Sequence, residues 1–522
     1  MHNTHSRRIR NAALAATVCG IAACAALVPG GAPEHAESNR PIDNGRERLQ
    51  LLNRVTWGAS PASARQIAAI GSERFLDQQL HPASPSLPRE IQIQIEAMTI
   101  SQRPVADLVF DLERRRKESD SIVDPEQKKT AQQALQQELN RIAREVASRS
   151  LLRALYSGNQ LQEQMTWFWM NHFNVHQYKS NVRLLLGDYE ERAIRAHALG
   201  RFRDLLAATV HHPAMLRYLD NEQNAMGHIN ENYARELMEL HTLGVNGGYT
   251  QRDVQELARI LTGVGVNVGT TAPNVRPQLQ NQYVRNGLFE FNPNRHDYGD
   301  KVFLGQAVKG RGLAEIDEAI DRLARNPATA AFICRKLAVY FVADDPAPPL
   351  VERMARTFQT TDGDIAATLR TMLDSPDFMN SLGRKFKDPM HYVVSAVRLA
   401  YDDKANLNTG PMINWLNRMG EPLYGRATPD GYPLNEAAWS SPGQMATRFE
   451  IARAIGYGSA GLFKTDGPQP VERAAFPQLA NALYYGSLQK ELGPATRQAL
   501  EQSNSPQEWN MYLLSSPEFM HR

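Results

Sequence analysis

Asn230-Glu-Asn-Tyr-Ala-Arg-Glu-Leu-Met-Glu-Leu-His-Thr-Leu-Gly244 holds a whole helix: a start, a body and a stop. Asn230 is suited to cap the amino end, where its side-chain oxygen accepts from a backbone N–H that has no partner within the helix, and Gly244 provides the left-handed residue that ends it. At about 100° per residue, Glu231, Asn232, Arg235, Glu236, Glu239 and Thr242 fall on one arc, with Tyr233, Leu237, Leu240 and His241 opposite. One face is polar and the other apolar, the pattern of a helix laid on a core.

The same period runs outward in both directions and predicts a mostly α fold. Leu49 to Val55 and Ala62 to Leu80 read as helices separated by Trp57-Gly58-Ala59-Ser60-Pro61, with Ser60 as cap and Pro61 in the first helical position. Residues 105–157 form a charged helix or hairpin, broken around Ser119 to Pro125. Further helices are expected at 159–176, 188–198, 202–208, 213–220 and 251–262, then at 313–325, 327–343, 347–359, 364–374 and 389–402. Residues 264–306 lose this period. Phe289-Glu290-Phe291 and Lys301-Val302-Phe303 flank a turn-rich loop, so a small β-hairpin excursion is expected near 285–305. A second irregular block, rich in Pro, Gly and Trp, spans 420–447, and a helical tail follows, crossed by a linker at 465–470. Ser375-Pro376-Asp377 and Ser516-Pro517-Glu518 repeat one capping device rather than a domain.

Three segments carry candidate chemistry. In Leu161 to His176, the residues Leu161, Met165, Phe168, Trp169 and Val175 share an apolar arc with His172 at its centre. A histidine there must satisfy both ring nitrogens, either as a core residue bonded to a carbonyl or as part of a site. His176, four residues on, has the spacing of a second metal ligand, but the His-Glu-x-x-His pattern and a third ligand are lacking, and no metal is assigned. On the 230–244 helix, Glu231 to Arg235 is a favourable i, i+4 pair and Glu236 with Glu239 a like-charged one. This face is either solvated and held by ion pairs, or a carboxylate cluster in which crowding raises one pKa. Arg235, one turn from both Glu231 and Glu239, is expected to be structural. In Phe291 to Lys301, the pair His296-Asp297 sits in a loop between strands, where functional residues gather, with an Asx-turn as the alternative use of Asp297. The catalytic candidates are therefore His172, Glu231, Glu236, His296 and Asp297, with Asn171, Asn230, Arg235, Glu239, Arg295 and Lys301 in support. His172, Glu231 or Glu236, and His296 are expected to line one concavity.

These motifs, taken in order, resemble the bacterial domain of unknown function 1800 family. The likeness rests on Thr56-Trp57-Gly58, Trp169–Phe173, His212–Asp220, Asn230–Leu240, Tyr249–Val254, Leu261–Gly263, Arg295–Asp297 and Phe303–Gly305, and continues through Lys387–Pro389, Pro429–Pro433 and Ser516–Phe519. That family usually has Trp-His-Asn-His-Phe where this chain has Met170, a departure that weighs further against a metal. The resemblance implies a secreted, mostly helical bacterial protein without a settled activity. It also implies a candidate partner, a second exported protein encoded nearby.

The amino terminus agrees with export. Arg7, Arg8 and Arg10 precede an uncharged Ala-rich run from Ala12 to Val28, so residues 1–36 read as signal peptide and leader, and 37–522 as a single family domain. Ile21-Ala22-Ala23-Cys24 has the shape of a lipobox with Cys24 as the acylated residue; the alternative is cleavage beyond it. A lipid on Cys24 would be the sole membrane attachment. Of the 3 cysteines only Cys334 then remains, in the apolar stretch Ala331 to Cys334, so packing rather than a disulfide must hold the fold. The chain is 42% hydrophobic and 22% charged, which excludes disorder and a multi-pass membrane protein, and its net charge of +2 shows no bias toward nucleic acid. No Gly-x-Ser-x-Gly elbow, phosphate loop or dinucleotide fingerprint is present. Two function classes stay open, with the cofactor unknown. One is an exported hydrolase or transferase acting on an envelope or extracellular polymer; the other is a non-catalytic envelope protein that binds a partner or glycan.

Overall fold

Helix starts follow the capping chemistry written in the chain. Ser60 Oγ accepts from Ser63 N at 3.2 Å ahead of Pro61–Ile70, and Ser375 Oγ accepts from Phe378 N at 3.1 Å ahead of Pro376–Ser381. Asp124 takes Gln127 N at 2.8 Å and starts Pro125–Tyr156, which with Val105–Asp120 makes the expected hairpin, broken between Asp120 and Pro125. The computed structural model describes residues 45–83, 87–402, 404–406, 408–464 and 476–522. The expected leader 1–36 with Cys24, and the linker 465–470, lie outside them.

The helix Gln160–His172 runs through the core: Leu161, Met165, Phe168 and Trp169 are buried, and so are Gln164 and His172. A helix enclosed on nearly every side must pair its polar groups internally, and Gln164 Nε2 reaches Arg54 O while Trp169 Nε1 donates to Ala198 O at 2.9 Å. Against it pack Ser72–Leu80, Pro125–Tyr156, Gly45–Val55 and the turns over 189–197, while Pro327–Phe341 pairs with Pro348–Thr360, and Pro442–Gly456 with Pro506–Ser515 and Pro389–Ala400. The described residues form one compact unit. No helix of the described residues is long and apolar enough to cross a membrane.

Several boundaries differ from expectation. The helix expected over 159–176 ends at His172, because Phe173 leaves helical geometry and the Asn174 amide is drawn to the carbonyls of Arg426 and Thr428 at 3.0 and 2.8 Å. The segment expected as a helix at 188–198 begins earlier, at Val182–Asp188, and continues as a π-helical turn over Tyr189–Ile194. The irregular block from 420 stops before 447, since Ser441 and Pro442 start Pro442–Gly456. The helix Gly410–Arg418 was not anticipated.

The β excursion is present with a finer topology than a single hairpin. Phe289–Phe291 is the middle strand of three, antiparallel to Val264–Val266 and Val284–Asn286, with Phe291 opposite both Val264 and Val284. Lys301–Phe303 pairs instead with Gln306–Val308. Pro293 lacks an N–H and Asn292 Oδ1 turns back to accept from Asn294 N at 3.1 Å, so the strand stops and a loop carries His296 between the two sheets.

Candidate functional site

Four elements bring polar groups together at the carboxyl end of Gln160–His172. The first is that helix, which supplies Asn171 and His172. The second is Pro327–Phe341, where Phe332, Lys336 and Tyr340 are spaced four apart on one face. The third is Asn232–Glu239, followed by the turn that carries His241. The fourth is the loop from Tyr424 to Pro433.

His172 is 1% exposed, and both its ring nitrogens are bonded. Nε2 lies 3.1 Å from the carbonyl of His241, which only accepts, so the ring proton is on Nε2. Nδ1 is then an acceptor, and Lys336 Nζ donates to it at 2.9 Å. Burial, then the Lys336 charge, holds His172 well below its ordinary pKa, so the imidazole is neutral. Lys336 is half-buried; desolvation pushes its amine down to about 8, with Asp430 pulling the other way. His241 is fully enclosed against Phe173 and His172, and burial and Lys336 press it to about 3.

The loop is fixed to the helix end by paired amides. Asn171 Nδ2 donates to Tyr432 O at 3.0 Å while Tyr432 N donates to Asn171 Oδ1 at 2.6 Å, and Tyr218 Oη donates to Ala427 O at 2.8 Å. Gly431 allows the approach: at φ +78° it lies so close that an added Cβ would fall 2.1 Å from Asn171 O. Asp430 is thereby held at the rim, its carboxylate bonded to Arg426 Nη2 at 2.9 Å and to Thr428 Oγ1. Burial would raise its pKa, but those bonds outweigh burial and hold it below the usual value. Glu236 moves the opposite way, raised by burial and by Glu239 beside it, against the lowering effect of Arg235, with Asp430 adding the smallest push upward.

The carboxylate crowding read from the sequence thus falls on Glu236. Arg235 bonds Glu231 Oε2 at 3.1 Å and Gln251 Oε1 at 2.8 Å rather than spanning to Glu239, which meets Tyr249 Oη at 3.5 Å. With Arg235 and Glu231 side chains 40% and 32% exposed, their ion pair is a surface one. The helix is shorter than expected: Asn230 Oδ1 accepts from Asn232 N at 3.0 Å in the turn before it, Glu231 holds the cap position without a side-chain bond, and the helix ends at Glu239, ahead of Gly244.

His296 belongs to a separate, closed network. Its Nδ1 donates to Thr262 O at 2.8 Å and its Nε2 faces Glu315 Oε1 at 2.9 Å. Lys301 Nζ binds Glu315 Oε2 at 2.6 Å, and the amides of Arg311 and Gly312 fill the remaining acceptor sites at 2.6 and 2.9 Å. The histidine, lysine and glutamate side chains are 0% exposed. Burial would raise Glu315, but the bonds from His296 and Lys301 outweigh it and keep the carboxyl below its ordinary value. Asp297 does not orient His296: it binds Arg259 Nε at 2.8 Å and turns to accept from Gly299 N at 2.8 Å, the Asx-turn alternative. Arg295 donates to Glu222 O at 2.7 Å. The expected single concavity therefore divides. His172 is bonded to Lys336, and the Asp430 charge acts on both Lys336 and Glu236, whereas His296, Asp297, Arg295 and Lys301 tie the β segment to its neighbours, and His296 shares no bonding partner with His172.

His176 lies in the turn beyond the helix end, so the i, i+4 ligand spacing with His172 is not realised on one helix face. Among the described residues no three His, Cys, Asp or Glu side chains gather as metal ligands. Sequence reasoning missed Lys336 and Asp430. The signal for Lys336 was a charge four residues from an aromatic on either side; Asp430 stood in the Pro429–Pro433 motif without a role, because what places it is the contact of the neighbouring Gly431 and Tyr432 with Asn171, far away in the chain.

The family model described as Protein of unknown function (DUF1800) matches residues 50–521, and the chain belongs to that family. No curated protein and no solved structure matches it.

Proposed function

We propose that this member of the family is an exported hydrolase or transferase acting on an envelope or extracellular polymer, with Glu236 and Asp430 as its acid–base pair. One observation carries this reading: two carboxyl groups on neighbouring elements are biased in opposite directions, Glu236 upward by burial and by Glu239, Asp430 downward by its bonds to Arg426 and Thr428. A protonated Glu236 donates to the leaving oxygen, and ionised Asp430 activates the attacking group. Lys336 offsets negative charge that develops between them, and His172 positions it through Nδ1. The Asp430 side chain is 50% exposed at the rim, which suits a polymer strand entering from solvent. Arg7, Arg8 and Arg10 ahead of the Ala-rich run support export.

The test is release of new ends from peptidoglycan and from neutral and acidic polysaccharides by the purified mature protein. Glu236→Gln and Asp430→Asn should each lower the rate about 100-fold or more. Activity unchanged in Glu236→Gln, or a Glu236 carboxyl titrating at its ordinary value by NMR, overturns the assignment. Full-length protein retained in the cytoplasm overturns the export reading.

A further inference from the structure

A pocket of about 440 Å³ opens beside the helices Gly45–Val55 and Pro389–Ala400, within the usual size for small-ligand sites. Leu49, Leu399, Leu513 and Phe519 give it an apolar wall, and Lys387 and Ser395 line it as well. Lys387 is 2% exposed and forms no ion pair among the described residues. Its Nζ lies 3.0 Å from Ser395 Oγ and 3.7 Å from the centre of the Phe519 ring. The charges facing it are the cations Arg448 and Arg522, which add to burial in holding the amine well below its ordinary pKa. A lysine whose charge is disfavoured, with a hydroxyl 3.0 Å away, is a base within reach of a nucleophile. Gly58 seats that hydroxyl. Its carbonyl accepts from Arg398 Nε at 3.0 Å, and at φ +122° it packs so closely that an added Cβ would lie 2.4 Å from Ser395 Cβ.

We propose that Lys387 and Ser395 form a base–nucleophile dyad that cleaves carboxylic esters bearing an apolar acyl chain, at a site separate from the Glu236–Asp430 pair. Ser395 Oγ, whose hydrogen now rests on Tyr392 O at 3.2 Å, turns toward Nζ, gives up its proton and attacks the ester carbonyl carbon. As the tetrahedral adduct collapses, the bond to the alcohol oxygen breaks and the Lys387 ammonium returns the proton to that oxygen. The acyl group stays on Ser395. Water, deprotonated by Lys387, then attacks the acyl carbon; the bond to Ser395 Oγ breaks, the Lys387 ammonium returns its proton to Oγ, and the carboxylic acid leaves. The acyl chain lies along Leu49, Leu399, Leu513 and Phe519.

The experiment treats the purified protein with p-nitrophenyl octanoate and with an alkyl fluorophosphonate, locating the adduct by peptide mass spectrometry. The expected result is one phosphonate on Ser395, and hydrolysis that falls about 100-fold or more in Ser395→Ala. Lys387→Arg should lose both labelling and hydrolysis, because a guanidinium does not act as a base near neutral pH. An unlabelled Ser395 in the wild-type protein overturns the proposal, whatever the folding of the variants. So does hydrolysis retained in a folded Ser395→Ala.

Discussion

Lys301→Met tests the closed network around Glu315. In the folded chain Glu315 takes Lys301 Nζ at 2.6 Å, His296 Nε2 at 2.9 Å and two backbone amides, with no solvent contact. Removing one partner of a buried ion pair costs about 3–5 kcal/mol, since the remaining charge stays desolvated. Here His296 and the amides continue to hold the carboxylate, so the low end, about 3 kcal/mol, is expected. An unfolding entropy of about 2.1 cal/mol/K per residue over roughly 480 residues comes to about 1 kcal/mol per kelvin, so the melting temperature should fall by about 3 °C. The pH profile gives a second readout. The folded Glu315 pKa lies below its ordinary 4.5, so its stabilisation is complete above that pH and disappears as pH falls through the lower folded value. Scanning calorimetry of parent and variant from pH 3 to 8 should therefore show their difference largest above about pH 4.5 and shrinking in acid. Equal melting temperatures at pH 7 would refute the buried-pair account.

Gly431→Ala puts a Cβ 2.1 Å from Asn171 O at φ +78°, so it should cost about 2–4 kcal/mol and displace Asp430, read as a lower melting temperature together with lost polymer cleavage. Lys336 gives up its proton near 8 when folded and near 10.5 when unfolded, so raising pH between those values should stabilise the protein. Lys336→Met should lack that part of the gain, as measured by denaturant titration at successive pH values. Arg235→Ala should change stability by no more than about 1 kcal/mol, because the Glu231 pair is half in solvent; a larger loss would contradict the surface reading.

Capping and periodicity are local, which is why Ser60-Pro61, Ser375-Pro376 and the break before Pro125 marked helix boundaries directly in the chain. The mostly α class and the β interruption near 285–305 follow from the same short-range rules. The crowding of Glu236 by Glu239 was legible too, because one helix face sets that spacing. What remained hidden depends on segments far apart in sequence. His172 could be identified as needing a polar partner, but that the partner is Lys336 is decided by helix packing. Asp430 belongs with Glu236 only because Asn171 and Gly431 bring a loop against a helix end. His296 stood out in the chain as a candidate, yet the tertiary fold closed it against Glu315, in the first turn of Leu313–Ala324, which nothing in the chain singled out. Periodicity reports which face is buried; which polar groups meet inside is decided by long-range packing, where desolvation makes every unpaired group costly.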